Sequence, residues 1–231
     1  GIPVFCSDGL RLAVACPSAP LNTAALSKTS IASRRTLNAI KLWDAATGQE
    51  LLWLKGHADS IKRLAFSPDG QRLVSSSSNA STYKIATTFM VKLWDAATGR
   101  EIRTIEGYSD PSCSPGGRRL VVRGTRDSKI FDGVTGVEKF TLNGFQARVV
   151  FSPDGKHMAP AWGDNVIRLW DATTGQESLT LKGTIAKFTD VSFSSDGQRL
   201  ALLSHDRTRK LSSVKVWDAV TGKELYSLKG H

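Results

Sequence analysis

The sequence predicts an all-β fold built of about five four-stranded antiparallel modules, and three observations carry that prediction. A phrase of near-identical residues recurs at module-sized spacing, a turn phrase precedes each copy, and the residues between them alternate polar and apolar as strands do. The first phrase is Lys41-Leu42-Trp43-Asp44-Ala45-Ala46-Thr47-Gly48-Gln49-Glu50, which returns at Lys92 to Glu101, Arg168 to Glu177 and Lys215 to Glu224. A decayed copy, Lys129-Ile130-Phe131-Asp132-Gly133-Val134-Thr135-Gly136, fills the remaining slot. The turn phrase is Phe66-Ser67-Pro68-Asp69-Gly70, repeated at Phe151 to Gly155 and Phe193 to Gly197, with weaker forms at Phe5 to Gly9 and Cys113 to Gly117.

Each phrase has a mechanical reading. In the turn phrase, proline presets the first turn position, aspartate bonds the local backbone, and glycine takes the left-handed conformation that a side chain resists. The residues that follow, such as Gln71-Arg72-Leu73-Val74-Ser75, have the period of two of a strand, and so does Ile167-Arg168-Leu169-Trp170. Asp-Ala-Ala-Thr-Gly then turns the chain into a last strand such as Glu50-Leu51-Leu52-Trp53-Leu54. One module therefore holds four short antiparallel strands, a to d. A meander of about 40 residues cannot bury both faces alone, so the modules must stack, and stacking around an axis gives a β-propeller. The strand c aromatics and short aliphatics are the expected packing residues between blades. The blades fall at approximately 1–57, 58–108, 109–144, 145–183 and 184–231 of a single propeller region.

Length and composition agree with a soluble globular chain: 231 residues, 40% hydrophobic and 23% charged. Apolar runs such as Leu51 to Leu54 fall far short of the roughly 18–20 residues of a bilayer span, and no charged-then-apolar leader opens the sequence, so neither a membrane segment nor a secretion signal is expected. Cys6, Cys16 and Cys113 are too few and too widely spaced for a disulfide framework or a metal knuckle, which points to a reducing, cytoplasmic setting.

The residues resemble the WD-repeat family. The resemblance rests on Leu-Trp-Asp at 42–44, 93–95 and 169–171, Val-Trp-Asp at 216–218, and Gly-His at 56–57 and 230–231, and it covers essentially the whole chain. It implies a propeller that serves as a rigid platform for assembling other proteins. The blade residues on which it places the structural work are Trp43, Asp44, His57, Ser75, Trp94, Asp95, Phe131, Asp132, Asp164, Trp170, Asp171, Trp217 and Asp218. The family joins a histidine after strand d, a serine on strand b, an aspartate in the b-to-c turn and the strand c tryptophan in a buried network. Here His57 with Ser75 or Ser77 and Trp94 forms most of one, without an obvious aspartate, and the other positions read Tyr108, Phe145 and Thr184. The remaining blades must lean on apolar packing. The sequence enters part-way along a strand a and stops after Gly230-His231, so the expectation is an incomplete ring with further blades or domains elsewhere, the alternative being five blades closed on themselves.

Net charge is +10, and its position suggests partners. The span from the a-to-b glycine to the strand c aromatic is short in the third and fourth repeats and longer in the first (Gly9 to Trp43), second (Gly70 to Trp94) and fifth (Gly197 to Trp217). All the extra length lies between strands b and c. These inserts carry Lys28, Arg34, Arg35, Lys84, Arg207, Arg209 and Lys210 against the single acid Asp206. They are candidate partner-facing residues for an acidic protein. Nucleic acid is a weaker alternative because Tyr83 and Phe89 are the inserts' few aromatics. No hydrolase elbow, paired metal-ligand histidines or phosphate loop is present in the sequence, so no enzyme, metal or cofactor is expected, and a propeller-fold hydrolase stands as the remotest reading. The expected function is a non-catalytic interaction scaffold or sensor within a larger multidomain protein.

Overall fold

The computed structural model describes residues 3–16, 38–78, 88–143, 148–160, 166–182, 188–206 and 211–229. The described residues are all-β, and their strands form five four-stranded antiparallel sheets, each a propeller blade made of consecutive strands. The chain divides into two compact units, Gly1–Ser109 and Asp110–His231.

The first unit holds two blades. Blade 1 comprises β1 (Pro3–Phe5), β2 (Arg11–Cys16), β3 (Ala39–Asp44) and β4 (Glu50–Lys55), and blade 2 comprises β5 (Ile61–Phe66), β6 (Arg72–Ser78), β7 (Phe89–Asp95) and β8 (Glu101–Glu106). They meet through one apolar cluster. Trp94 of β7 packs among Ile40, Leu42 and Leu54 of blade 1 together with Ile61 and Leu73 of its own blade.

The second unit holds three. Blade 3 comprises β9 (Ser109–Cys113), β10 (Arg119–Arg123), β11 (Asp127–Asp132) and β12 (Glu138–Asn143). Blade 4 comprises β13 (Val149–Phe151), β14 (His157–Pro160), β15 (Val166–Asp171) and β16 (Glu177–Lys182), and blade 5 comprises β17 (Phe188–Phe193), β18 (Arg199–Asp206), β19 (Leu211–Asp218) and β20 (Glu224–Lys229). The seam rule is the same. Trp217 sits on Leu169 and Leu181 of blade 4, and Trp170 packs against Ile130 and Leu142 of blade 3.

Two polar devices recur. Just before each strand c aromatic, the pairing with strand d slips by one residue, at Leu42/Trp43, Leu93/Trp94, Ile130/Phe131, Leu169/Trp170 and Val216/Trp217. Such a bulge bends and twists the strand pair. It sets the strand c aromatic opposite the glutamate that ends the repeated phrase. That glutamate pairs with the strand c cation in every blade: Lys41–Glu50 at 2.5 Å, Lys92–Glu101 at 2.7 Å, Lys129–Glu138 and Lys215–Glu224 at 2.8 Å, and Arg168–Glu177 at 3.6 Å. Most are partly solvated, so these pairs orient the strands more than they stabilise them.

Arginines at the start of strand b reach across the seams. Arg11 donates through Nη1 to the Ala96 carbonyl at 3.2 Å and through Nη2 to the Gly70 carbonyl at 2.7 Å, both in the next blade. Arg119 donates through Nε to the Ala172 carbonyl at 3.1 Å. The corresponding residue of blade 4 is His157, whose buried Nδ1 finds no partner among the described residues.

The decayed repeat departs at Gly133, where the other phrases have alanine. Its amide donates to the Arg118 carbonyl at 2.9 Å, and a Cβ there would collide with the Gly117 carbonyl oxygen. Gly133→Ala should therefore destabilise the protein by about 1–3 kcal/mol through overpacking. At Gly116 a Cβ meets nothing, so Gly116→Ala should leave the urea midpoint nearly unchanged, and comparing the two unfolding curves checks both outcomes.

Candidate functional site

The turns that close each blade are held by the aspartate of the repeated phrase. Asp44 Oδ1 accepts from the amides of Ala46 at 3.0 Å and Thr47 at 2.7 Å. Asp95, Asp132, Asp171 and Asp218 do the same in their own turns. The glycine that follows takes a positive φ, 69° at Gly48. Backbone amides donated to the charged form hold the carboxyls of Asp44, Asp95, Asp171 and Asp218 below the ordinary range. The second half of the Trp-Asp signature is thus a cap for the turn between strands c and d.

Blade 2 adds a buried network. His57, only 5% exposed, lies between two serines of β6: its Nε2 is 2.6 Å from Ser75 Oγ and its Nδ1 is 2.7 Å from Ser77 Oγ. The indole N–H of Trp94 donates to Ser75 Oγ at 2.8 Å. A neutral imidazole satisfies every atom. With the hydrogen on Nδ1, the ring donates to Ser77, and Ser75 donates to Nε2 while accepting from Trp94. Ser77, on strand b, thus supplies the second contact to the ring in a network without an aspartate, and burial, followed by the nearby Lys92 ammonium, lowers the His57 pKa to about 4. Both serine hydroxyls are buried and engaged in these bonds.

Strand pairing aligns Ser75 with Val14, Val122, Pro160 and Leu202, so the serine hydroxyl of blade 2 has no counterpart at that position in the other blades. The consequence is visible at Trp217, whose indole N–H is buried without a partner among the described residues.

The sequence-predicted partner-facing residues Lys28, Arg34, Arg35, Lys84, Arg207, Arg209 and Lys210 lie outside the described residues, as does Asp164. Their segments join Cys16 to Ala39, Ser78 to Phe89 and Asp206 to Leu211, so each leaves its own blade at the strand b-to-c end. Among the described residues no group of three His, Cys, Asp or Glu side chains could hold a metal, and no helix is long and apolar enough to cross a membrane. Cys6, Cys16 and Cys113 form no disulfide among the described residues, and Cys6 fills the serine position of the first a-to-b turn.

One feature was not anticipated from sequence. In the second unit a cleft of about 600 Å³ opens beside the a-to-b turns of blades 3 and 4, lined by Ser114, Gly116, Arg118, Arg119, Asp154 and Lys156 among others. The visible signal was the weak turn phrase Ser114-Pro115-Gly116-Gly117, which lacks its aspartate.

Two outcomes follow from the network. Trp94→Phe should cost about 1 kcal/mol more than Trp217→Phe, because only the first leaves a buried hydrogen-bond partner behind, and paired denaturant titrations check it. His57 is neutral in the fold and takes a proton in the unfolded chain near its ordinary value of 6.5, so stability is full above that pH and falls as pH drops toward 4. Between about pH 7.5 and 5 the loss should be about 2 kcal/mol, above the range where the turn aspartates begin to titrate, and His57→Gln should flatten that slope.

Comparison with known proteins places this geometry. The family model "WD domain, G-beta repeat" matches residues 48–95, the span from the first c-to-d turn to the Trp94-Asp95 pair. The chain is 26% identical over 187 residues to Autophagy-related protein 16 of Arabidopsis thaliana, covering 77% of this chain and 35% of that protein. It is 31% identical over 175 residues to Nuclear distribution protein PAC1 of Arthroderma otae, covering 67% and 36%. It is also 31% identical over 198 residues to WD repeat-containing protein 1 of Xenopus tropicalis, covering 80% and 32%. The chain spans about a third of the length of these curated relatives. With the aspartate-capped turn repeated in every blade, a Trp-Asp pair in four of the five, and these relatives sharing the repeats, the chain belongs to the WD-repeat family.

Proposed function

We propose that the chain is a non-catalytic platform or sensor for other proteins, cytoplasmic and part of a larger multidomain protein, that recognises acidic partners through its strand b-to-c inserts. The supporting observation is the division of labour along the chain. The a-to-b and c-to-d turns are fixed by repeated aspartate caps and glycines. The b-to-c connections vary in length and concentrate seven cations. Connections that vary on a rigid frame are where binding specificity resides. WD-repeat relatives act as interaction scaffolds in general, which supports the same reading.

The test is capture of an acidic polypeptide, poly-glutamate on a bead, by the wild-type chain and by a variant with Lys28, Arg34, Arg35, Lys84, Arg207, Arg209 and Lys210 replaced by glutamine. Retention should fall at least about tenfold as salt rises from about 50 to about 200 mM, and the variant should bind weakly throughout. Salt-independent retention, or a variant that binds like the wild type, sinks the acidic-partner reading. Retention of RNA in preference to poly-glutamate would favour a nucleic-acid interface instead.

A further inference from the structure

The a-to-b turns of four blades hold one carboxylate oxygen in a fixed cradle. In blade 2 Asp69 Oδ1 accepts from the Ser67 hydroxyl at 2.5 Å and the Gln71 amide at 3.0 Å. In blade 4 Asp154 Oδ1 accepts from Ser152 at 2.6 Å and the Lys156 amide at 3.0 Å, and in blade 5 Asp196 Oδ1 accepts from Ser194 at 2.5 Å and the Gln198 amide at 2.9 Å. Blade 1 keeps the amide half, Leu10 to Asp8 at 2.8 Å, with Cys6 in place of the serine.

Blade 3 keeps the donors and lacks the acid. Ser114 is 3% exposed and its oxygen accepts from the Arg119 amide at 3.0 Å, as its counterparts do, yet its hydroxyl hydrogen has no acceptor among the described residues. The Arg118 amide, equivalent to the Gln71, Lys156 and Gln198 amides, likewise has none. Both groups adjoin Gly116, where a Cβ would meet nothing within 4 Å. All three residues line the 600 Å³ cleft, with Arg119 and Lys156 beside them.

We propose that this cleft binds an aspartate or glutamate side chain of an acidic partner peptide, whose carboxylate completes the blade 3 turn in the place that the chain's own aspartate fills elsewhere. The donors suit a singly charged acid. Two of them converge on one oxygen in the equivalent turns, and Arg118 supplies positive charge, while Arg119 and Lys156 each stand 3.9 Å from an acid of the walls, Asp132 and Asp154. Asp132 and Asp154 on the same walls disfavour a doubly charged phosphate. The volume admits several residues of peptide rather than a lone ion. This deepens the platform reading, on which it rests, by naming a partner chemistry at a site separate from the inserts.

The experiment is amide NMR of the full chain titrated with sodium acetate, inorganic phosphate and an aspartate-rich hexapeptide. Acetate and the hexapeptide should each move the Arg118 amide saturably downfield, the peptide at lower concentration. Gly116→Asp should place that resonance downfield without ligand, raise the melting temperature, abolish the acetate titration and weaken the hexapeptide at least about tenfold. Gly116→Asn fills the same place without charge and should weaken it comparably. The proposal fails if acetate leaves Arg118 unmoved, if phosphate binds more tightly than the hexapeptide, or if either substitution leaves peptide affinity intact. Acetate reads the cleft with no partner protein present, so its failure leaves the platform reading untouched, and loss of poly-glutamate capture alone would leave the cleft standing.

Discussion

A four-stranded sheet with apolar side chains on both faces must cover both, and within each unit of this chain the cover is the next copy of the same sheet. Trp94 on Leu42 and Leu54, Trp170 on Ile130 and Leu142, and Trp217 on Leu169 and Leu181 are three versions of that contact. Magnitudes decide the hierarchy. Removing a buried aromatic of this size costs roughly 3–5 kcal/mol, whereas a half-exposed cross-strand ion pair is worth roughly 0.2–1 kcal/mol. The Lys–Glu pairs and aspartate caps therefore select the geometry of each blade, and the seams make the blades persist.

The polar supplements are distributed unevenly over a uniform frame. Blade 2 has the His57, Ser75, Ser77 and Trp94 network, while blade 5 buries an indole N–H with nothing among the described residues to receive it. Blade 4 has His157 where Arg11 and Arg119 bridge to the next blade elsewhere. In a repeat array, stability is a sum of each repeat's own term and its neighbour terms, so equal shapes here carry unequal energies. A blade without the polar supplement leans harder on its neighbours.

Features whose bonds span two or three residues were legible in the sequence. Asp44 reaches Ala46 and Thr47, and Asp69 reaches Gln71, so the turn phrases announce their own geometry. The strand c aromatics were legible for a related reason: the repeat period places them identically. The Arg11 bridge to Ala96 spans 85 residues and the Arg119 bridge spans 53, and no local pattern distinguishes such an arginine from a solvated one. The strand c-to-d slip before each strand c aromatic was invisible too, because it depends on which residues pair across the turn, and no local pattern reports that register. The cleft of blade 3 was written as an absence, a glycine where its siblings have an acid, and only the Ser114 hydroxyl hydrogen, without an acceptor among the described residues, gave that absence a chemical meaning. The seven cations of the inserts fall outside the described residues, so they contribute to the functional reading by composition and connectivity alone.

The arginine bridges end on carbonyl oxygens rather than on side chains. A carbonyl is offered by any residue, so the fastening is blind to what the neighbouring module is made of. Copies of the unit can accordingly be duplicated, reshuffled or left to diverge without re-matching a partner on the far side of the join, which makes this chain's mixture of faithful and eroded copies compatible with a single mode of assembly.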